Sequence, residues 1–341
     1  MYKKDFGLLI LIIVVGAAVA LINPRFLLPA NLSNTANQVG LFGVFAIGEA
    51  FVIITGGIEL SVGSMIALLG TIFIDLIVNH DVHWVIAVII IVLGGCALGS
   101  VHGLLVTKMR LQPFVVTLCG LLIYRGIARY YTQDATAGFG FGESFPTLEW
   151  LTTGRLLGII PNSMIALVVI ALVMGIVLHR SVYGRYLFAV GKNEEAARYS
   201  GIPTDRIVTS AYVVCGGLAA VAAIYIAMYT RSISPAVHGS FYELYAIAAA
   251  VLGGCSLRGG EGSILGVLLG VVLLQVLQNL VNLLGIPSSL NFAVMGTVIL
   301  IGVIADQQIM LYRQRAATAR GRLQAAAGSP QDAAEQPRLK R

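Results

Sequence analysis

Charge is what this chain has least of. Only 11% of its 341 residues are Asp, Glu, Lys or Arg, against roughly 25% in an ordinary soluble domain. Too few charges remain to cover a hydrated surface, which excludes a water-soluble globular enzyme. Cysteine is scarce too. Cys96, Cys119, Cys215 and Cys255 all lie in or beside apolar segments, without metal-ligand spacing. That excludes a zinc module or a disulfide scaffold and leaves them as small packing residues. No GxxxxGKS/T loop and no glycine-rich strand-to-helix turn occurs, so no nucleotide engine, cofactor or metal is expected on this chain. The ten-residue alternating segments of an outer-membrane barrel are also missing.

What is present is apolar: 57% of the residues, gathered in blocks near the roughly 20 residues that cross a bilayer as helix. The fold class read from this is an all-α polytopic membrane protein with about ten transmembrane helices. The expected spans are 7–22, 39–55, 60–78, 84–106, 113–130, 160–178, 207–230, 243–254, 262–284 and 290–305. Lys3 and Lys4 precede the first in the manner of a signal peptide, but no small-residue cleavage site occurs before Asn23, so an uncleaved first helix is expected.

The formal charge of +6 follows membrane topology and not nucleic-acid binding. With both termini cytoplasmic, 17 of the 22 Lys and Arg fall inside: Lys3, Lys4, Lys108, Arg110, Arg180, Arg185, Lys192, Arg198, Arg206, Arg258 and the seven after Asp306. A single transmembrane domain over 1–315 is expected, with 179–206 as a cytoplasmic loop, followed by a disordered basic tail at 316–341.

The polar island 179–206 (HRSVYGRYLFAVGKNEEAARYSGIPTDR) is the longest charged segment away from the termini. Its core, Gly191 to Pro203, is punctuated as one short helix. Asn193 caps it, Glu194 and Glu195 sit in the first turn, Ala196 and Ala197 follow, Arg198 lies toward the end, and Gly201 and Pro203 stop it. So short a helix has little stability of its own, and the expectation is that it docks against something.

Two glycine motifs echo each other at an offset of 197 residues: TGGIELSVGS from Thr55 and LGGCSLRGGEGS from Leu252. Gly56, Gly57, Glu59, Ser61 and Gly63 mark the first; Gly253, Gly254, Gly259 and Gly260 mark the second. Glycine-broken elements in corresponding parts of a chain mark the translocation region of many transporters. Tight helix-helix turns in a duplicated bundle explain them equally well.

From these motifs onward the chain resembles the permease subunits of sugar-importing ABC transporters, the ribose/galactose/xylose class. The matching stretches are FLLPANLSN (Phe26 to Asn34), FVIITGGIELSVGS (Phe51 to Ser64), LQPFVVTLCG (Leu111 to Gly120), YRG (Tyr124 to Gly126), GRYLFAVGKNEEAARYSGI (Gly184 to Ile202) and VLGGCSLRGGEGSILG (Val251 to Gly266). The resemblance implies a ten-helix multi-pass subunit of a bacterial inner membrane. It would pair with a second permease subunit, with cytoplasmic ATP-binding subunits and with a periplasmic sugar-binding protein. It further implies that 191–202 is the coupling helix seated on the ATPase. Two positions depart from the family. Asp is usual where Glu59 stands, and an apolar residue, often Met, where Glu49 stands.

Glu49 is mid-span, where an ionised carboxylate costs about 2.5 kcal/mol or much more, so it is protonated, paired or facing water. His102 and Arg125 are the partners considered, and a structural polar pair stands beside a pathway role. Gln275, Gln278, Asn279 and Asn282 fall at i, i+3, i+4 and i+7, on one helix face. Their amides suit sugar hydroxyls along a path, or equally hydrogen bonds between helices. Besides the importer, two readings stay open: an ion-coupled secondary carrier using Glu49, Glu59 or His102, and an ABC permease for branched-chain amino acids.

Overall fold

Among the described residues proline opens three α-helices, and the first of them extends well beyond its apolar block. In the computed structural model, α1 (Tyr2–Ile22) leads through a short 3-10 turn (Pro24–Leu27) into α2 (Pro29–Ile54), with Pro29 in the first turn. Proline is pre-organised there, because its fixed φ suits the helix and its missing N–H would be unpaired anyway. Helix α2 therefore starts ten residues before the expected 39. Its polar first turns are held by neighbours: Ser33 Oγ donates to the Ile159 carbonyl at 2.8 Å, and Ser163 Oγ to Asn37 Oδ1 at 2.6 Å.

Over 2–287 the remaining helices are α3 (Val62–Val78), α4 (Trp84–Thr107), α5 (Pro113–Thr132), α6 (Pro146–Thr153), α7 (Asn162–Arg180), α8 (Val182–Lys192), α9 (Glu194–Tyr199), α10 (Thr204–Thr230), α11 (Tyr242–Leu252) and α12 (Ile264–Leu283). Two small antiparallel pairs tie the connections: β1 (Ala137–Gly138) with β4 (Ser232–Ile233), and β2 (Arg155–Leu156) with β3 (Ile160–Pro161). The structure describes residues 2–287 apart from Phe141 and Glu143, and Leu290, Ala293, Gly296, Thr297 and Leu300 beyond them. The expected tenth span is therefore mostly outside the described residues, and the tail 316–341 entirely so.

Nine expected spans coincide with helices, but they are not equal. Among the described residues five helices (α2, α4, α7, α10 and α12) are long and apolar enough to cross a membrane. Helix α11 has eleven residues, about 16 Å of rise, roughly half of a hydrocarbon core. The expected span at 243–254 is thus too short to cross as helix alone. The segment before it, 234–241, folds against the bundle. Arg125 Nη1 on α5 donates to the Pro235 and His238 carbonyls, each at 2.6 Å, and Gly239 lies against Gly63 at the start of α3.

Helix α10 is the centre, packed on α4, α2 and α3. Its seam with α4 is a comb of glycines. A Cβ at Gly95 or Gly99 would overlap the Gly216 or Tyr212 carbonyl, and one at Gly103 would lie 2.6 Å from Thr209 Cα. The two backbones approach this closely because small residues recur every fourth position, which is how helices associate where lipid supplies no hydrophobic drive. Away from the seam α4 and α7 keep apolar side chains exposed, with Leu93 and Leu172 each 63% open, a surface suited to acyl chains.

Candidate functional site

Helix α9 is built as its sequence suggests. Asn193 has extended backbone (φ −162°, ψ 104°) and its side-chain oxygen accepts the Ala196 N–H at 2.9 Å. Glu194 stands in the first turn and pairs with Arg198 at 2.7 Å. Gly201 takes φ +82° as the chain turns away, and the Ile202 N–H returns to the Ala197 carbonyl. The six-residue helix is steadied from outside, since Arg198 Nη2 donates to Asp205 at 3.0 Å and Arg110 reaches Glu194 at 3.4 Å. Only Ala197 is buried. Glu195, Ala196 and Tyr199 are exposed, Tyr199 by 92%.

The residues before α9 were expected as a polar loop and are helical. Ser181 caps α8 through the Gly184 N–H at 3.1 Å, and Leu187 and Val190 bury its inner face. Helix α8 ends at the feature that joins the three sequence motifs. Gly191 packs against the Ile54 carbonyl and the Gly260 nitrogen so closely that a Cβ would overlap both. Gly260 N–H donates to Ile54 O at 2.8 Å. A Cβ at Gly259 would lie 2.7 Å from the Gly191 carbonyl and 2.8 Å from Gly56 N. Lys192 Nζ closes the group on Glu261 at 2.7 Å. The polar island and both glycine turns thus meet backbone to backbone, and φ is positive at Gly56, Gly259 and Gly260, where the side chain of an L-residue is strained. Gly57 packs on Tyr212, Gly253 on Gly266, and Gly254 takes φ +89° at the α11 terminus.

Beyond that junction the chain between α2 and α3 turns inward and carries Glu59 into a buried polar network. Glu59 Oε1 accepts the Ser61 N–H at 2.8 Å and the Ser61 hydroxyl at 2.7 Å. Glu59 Oε2 lies 2.6 Å from His102 Nδ1, and His102 Nε2 lies 2.9 Å from the Tyr124 hydroxyl, whose ring stacks on the imidazole. With Nδ1–H donating to the carboxylate, Nε2 of a neutral ring accepts from Tyr124. Gly120 makes room, since a Cβ there would meet the imidazole at 2.5 Å. Glu49 joins through one bond, its Oε1 accepting the Glu59 N–H at 3.2 Å. Its Oε2 has no partner among the described residues.

The two partners considered for Glu49 are therefore both engaged elsewhere, His102 with Glu59 and Arg125 with the 235–238 carbonyls. The reason is the break after α2, which folds Glu59 back beneath Glu49 and puts its carboxylate in front of His102. The amide face of α12 also divides. Asn279 exchanges hydrogen bonds with Asn31 of α2 at 2.9 and 3.1 Å. Gln275 is buried beside a cavity of about 10 Å³ between α2, α11 and α12, room for one water. Gln278 Oε1 is buried without a partner among the described residues, and Asn282 is exposed. Tyr124, Tyr199 and the Lys192–Glu261 pair were not singled out from sequence. The signals for Tyr124 were the YRG stretch that it opens and its i+4 spacing from Gly120.

A polytopic bundle with two glycine-broken turns meshed to one polar protrusion defines a membrane transport component. The chain belongs to the family described as branched-chain amino acid transport system / permease component, matched over residues 31–303. It is 39% identical over 300 residues to the ribose import permease protein RbsC of Escherichia coli K12, covering 88% of this chain and 92% of that one. The RbsC of Bacillus subtilis 168 is 40% identical over 303 residues, 89% and 91% of the two chains. The fructose import permease protein FruF of Bifidobacterium longum is 33% identical over 258 residues, 76% and 72%. No solved structure gave a significant match.

Proposed function

We propose that this chain is the transmembrane permease subunit of an ATP-driven importer, moving a monosaccharide or similar polyol delivered by a periplasmic binding protein. It works in a bacterial inner membrane as a homo- or heterodimer with a second permease subunit. ATP is hydrolysed by separate cytoplasmic subunits. Its named relatives import ribose and fructose, which supports a sugar over a branched-chain amino acid despite the wording of the family description.

The observation that carries the coupling half of this reading is the junction of Gly191 with Ile54 and Gly260. Helix α9 is the seat for the ATPase, with Glu195, Ala196 and Tyr199 on its free face. Closure of the ATPase pair moves α9 as a rigid lever, and the close-packed backbone passes that motion to both glycine turns together. Glu49 and Glu59 then lie one turn of chain away from the moved segment, and the amides of α12 act in helix packing more than in lining a path.

Replacing 191–201 with a flexible Gly-Ser linker tests it. The variant should still insert in the membrane but lose co-purification with the ATPase, and an undiminished complex would refute the assignment. Uptake into vesicles should need internal ATP and survive an uncoupler. Uptake by the purified chain alone on a proton gradient would establish the ion-coupled carrier instead.

A further inference from the structure

A cleft of about 300 Å³ opens where the end of α3 meets the end of α5 and strand β1. Thr71, Asp75 and Asn79 line one wall at intervals of four residues, opposite Tyr131, Thr132 and Thr136. The wall is prepared with defined hydrogen-bonding roles. Asp75 Oδ1 accepts from Asn79 Nδ2 at 2.7 Å, and Oδ2 from the Tyr131 hydroxyl at 2.5 Å and His80 Nε2 at 3.3 Å. A carboxylate has about four acceptor sites, so one remains on Asp75. The Tyr131 side chain is half exposed at the rim.

Thr71 breaks the pattern. It is fully buried, yet its hydroxyl has no partner among the described residues. The easy solution for a helical threonine is the carbonyl four residues back, which Thr132 and Thr117 both use, at 3.1 and 2.9 Å. A buried polar atom left unpaired is costly, and its usual explanation is a group that the chain does not itself supply. The charge balance narrows that group. Asp75 is an anion, and the nearby Arg129 guanidinium is held by Asp134 at 2.5 Å, so an anionic ligand is disfavoured. Hydroxyl, carboxylate, amide and an aromatic face together are the set that recognises a neutral polyol.

We propose that this cleft is a binding site for one neutral monosaccharide, separate from α9 and from the Glu59 network. The ligand's hydroxyls donate to Asp75 and exchange with Asn79 and Thr71, while Tyr131 covers a C–H face. The choice of a sugar rests on the importer reading above. On the expected topology the site faces the side from which sugar is delivered.

The test uses the full chain in lipid nanodiscs without ATPase, read by saturation-transfer NMR with D-ribose and D-fructose as probes. Transfer to at least one sugar is expected, and none to ribose 5-phosphate. Thr71→Val, which removes the orphan hydroxyl at constant shape, and Tyr131→Leu should each weaken binding by about tenfold. Thr136→Trp blocks the cleft from its exposed rim without touching a helix, and covers the case in which either helical variant fails to fold. In the assembled importer the same variants raise the KM of uptake and leave kcat unchanged. No transfer to either sugar, or binding by all three variants equal to wild type, overturns the site. Binding that persists in a chain showing no ATP-dependent uptake overturns the importer reading and leaves the site standing.

Discussion

His102 Nδ1 stands 2.6 Å from Glu59 Oε2, and neither residue is more than 2% exposed. A buried carboxylate held by an imidazole is weak evidence of net stabilisation, because desolvation offsets much of the attraction, but removing the imidazole leaves the carboxylate uncompensated. His102→Ala should therefore destabilise the protein by about 3–5 kcal/mol. The double variant Glu59→Leu/His102→Leu should recover much of that loss. Thermal unfolding in detergent reads both, and an unshifted His102→Ala melting curve would show that the pair is not an interacting unit.

Gly191 should tolerate no side chain. An alanine Cβ there overlaps the Ile54 carbonyl and the Gly260 nitrogen, and backbone cannot yield as a flexible side-chain tip does. Gly191→Ala is expected to insert and to retain the ATPase, because α9 is unaltered, while uptake falls by at least about tenfold. The exposed Lys192–Glu261 pair beside it is worth at most about 1 kcal/mol, so Lys192→Glu should have a small effect that Glu261→Lys reverses. Wild-type uptake by Gly191→Ala would remove the junction from the transmission path.

The sequence was most readable where one physical quantity dominates. Apolar blocks marked nine helices, and Asn193, Gly201 and Pro203 marked α9 to within a residue or two. It was least readable where polar groups find partners far along the chain. Asn31, Ser33 and Asn37 look like loop, yet each bonds a residue more than 120 positions away and extends α2. Glu49 was recognisable as a buried carboxylate, but its partner is set by a fold in the seven residues after α2. The Gly95, Gly99, Gly103 comb was present at helical spacing and acquires its meaning only once α10 lies against it.

Acid should loosen the connection between α6 and the C-terminal end of α10. Arg231 Nη1 lies 2.6 Å from Glu149 Oε1, and this hydrogen bond is the main reason that the carboxyl is held below its ordinary 4.5. A carboxyl depressed by folding contributes stability above its unfolded pKa and loses it as pH falls through the lower folded value. The contact should therefore be intact at neutral pH and weaken below about pH 4.5, by no more than about 1 kcal/mol for a partly exposed pair. A spin label at Thr153→Cys, with Cys119 replaced, should gain mobility on acidification, and Arg231→Gln should show that mobility already at pH 7. A label equally mobile at both pH values in the Arg231-containing protein would contradict the assignment.

Asn279 and Asn31 decide whether the amides of α12 serve packing or passage. Their two reciprocal bonds, 2.9 and 3.1 Å, fasten α12 to the first turn of α2. Interhelical hydrogen bonds in membranes are worth about 1 kcal/mol each, so Asn279→Leu should cost about 1–2 kcal/mol, and Asn31→Leu in the same chain should add only the loss of its Nδ2 bond to the Phe26 carbonyl, 2.9 Å. Uptake by Asn279→Leu, corrected for the amount of folded protein, should keep the wild-type KM. A raised KM with unchanged stability would instead place Asn279 on the sugar's route, with Gln275 and Gln278 the next positions to substitute.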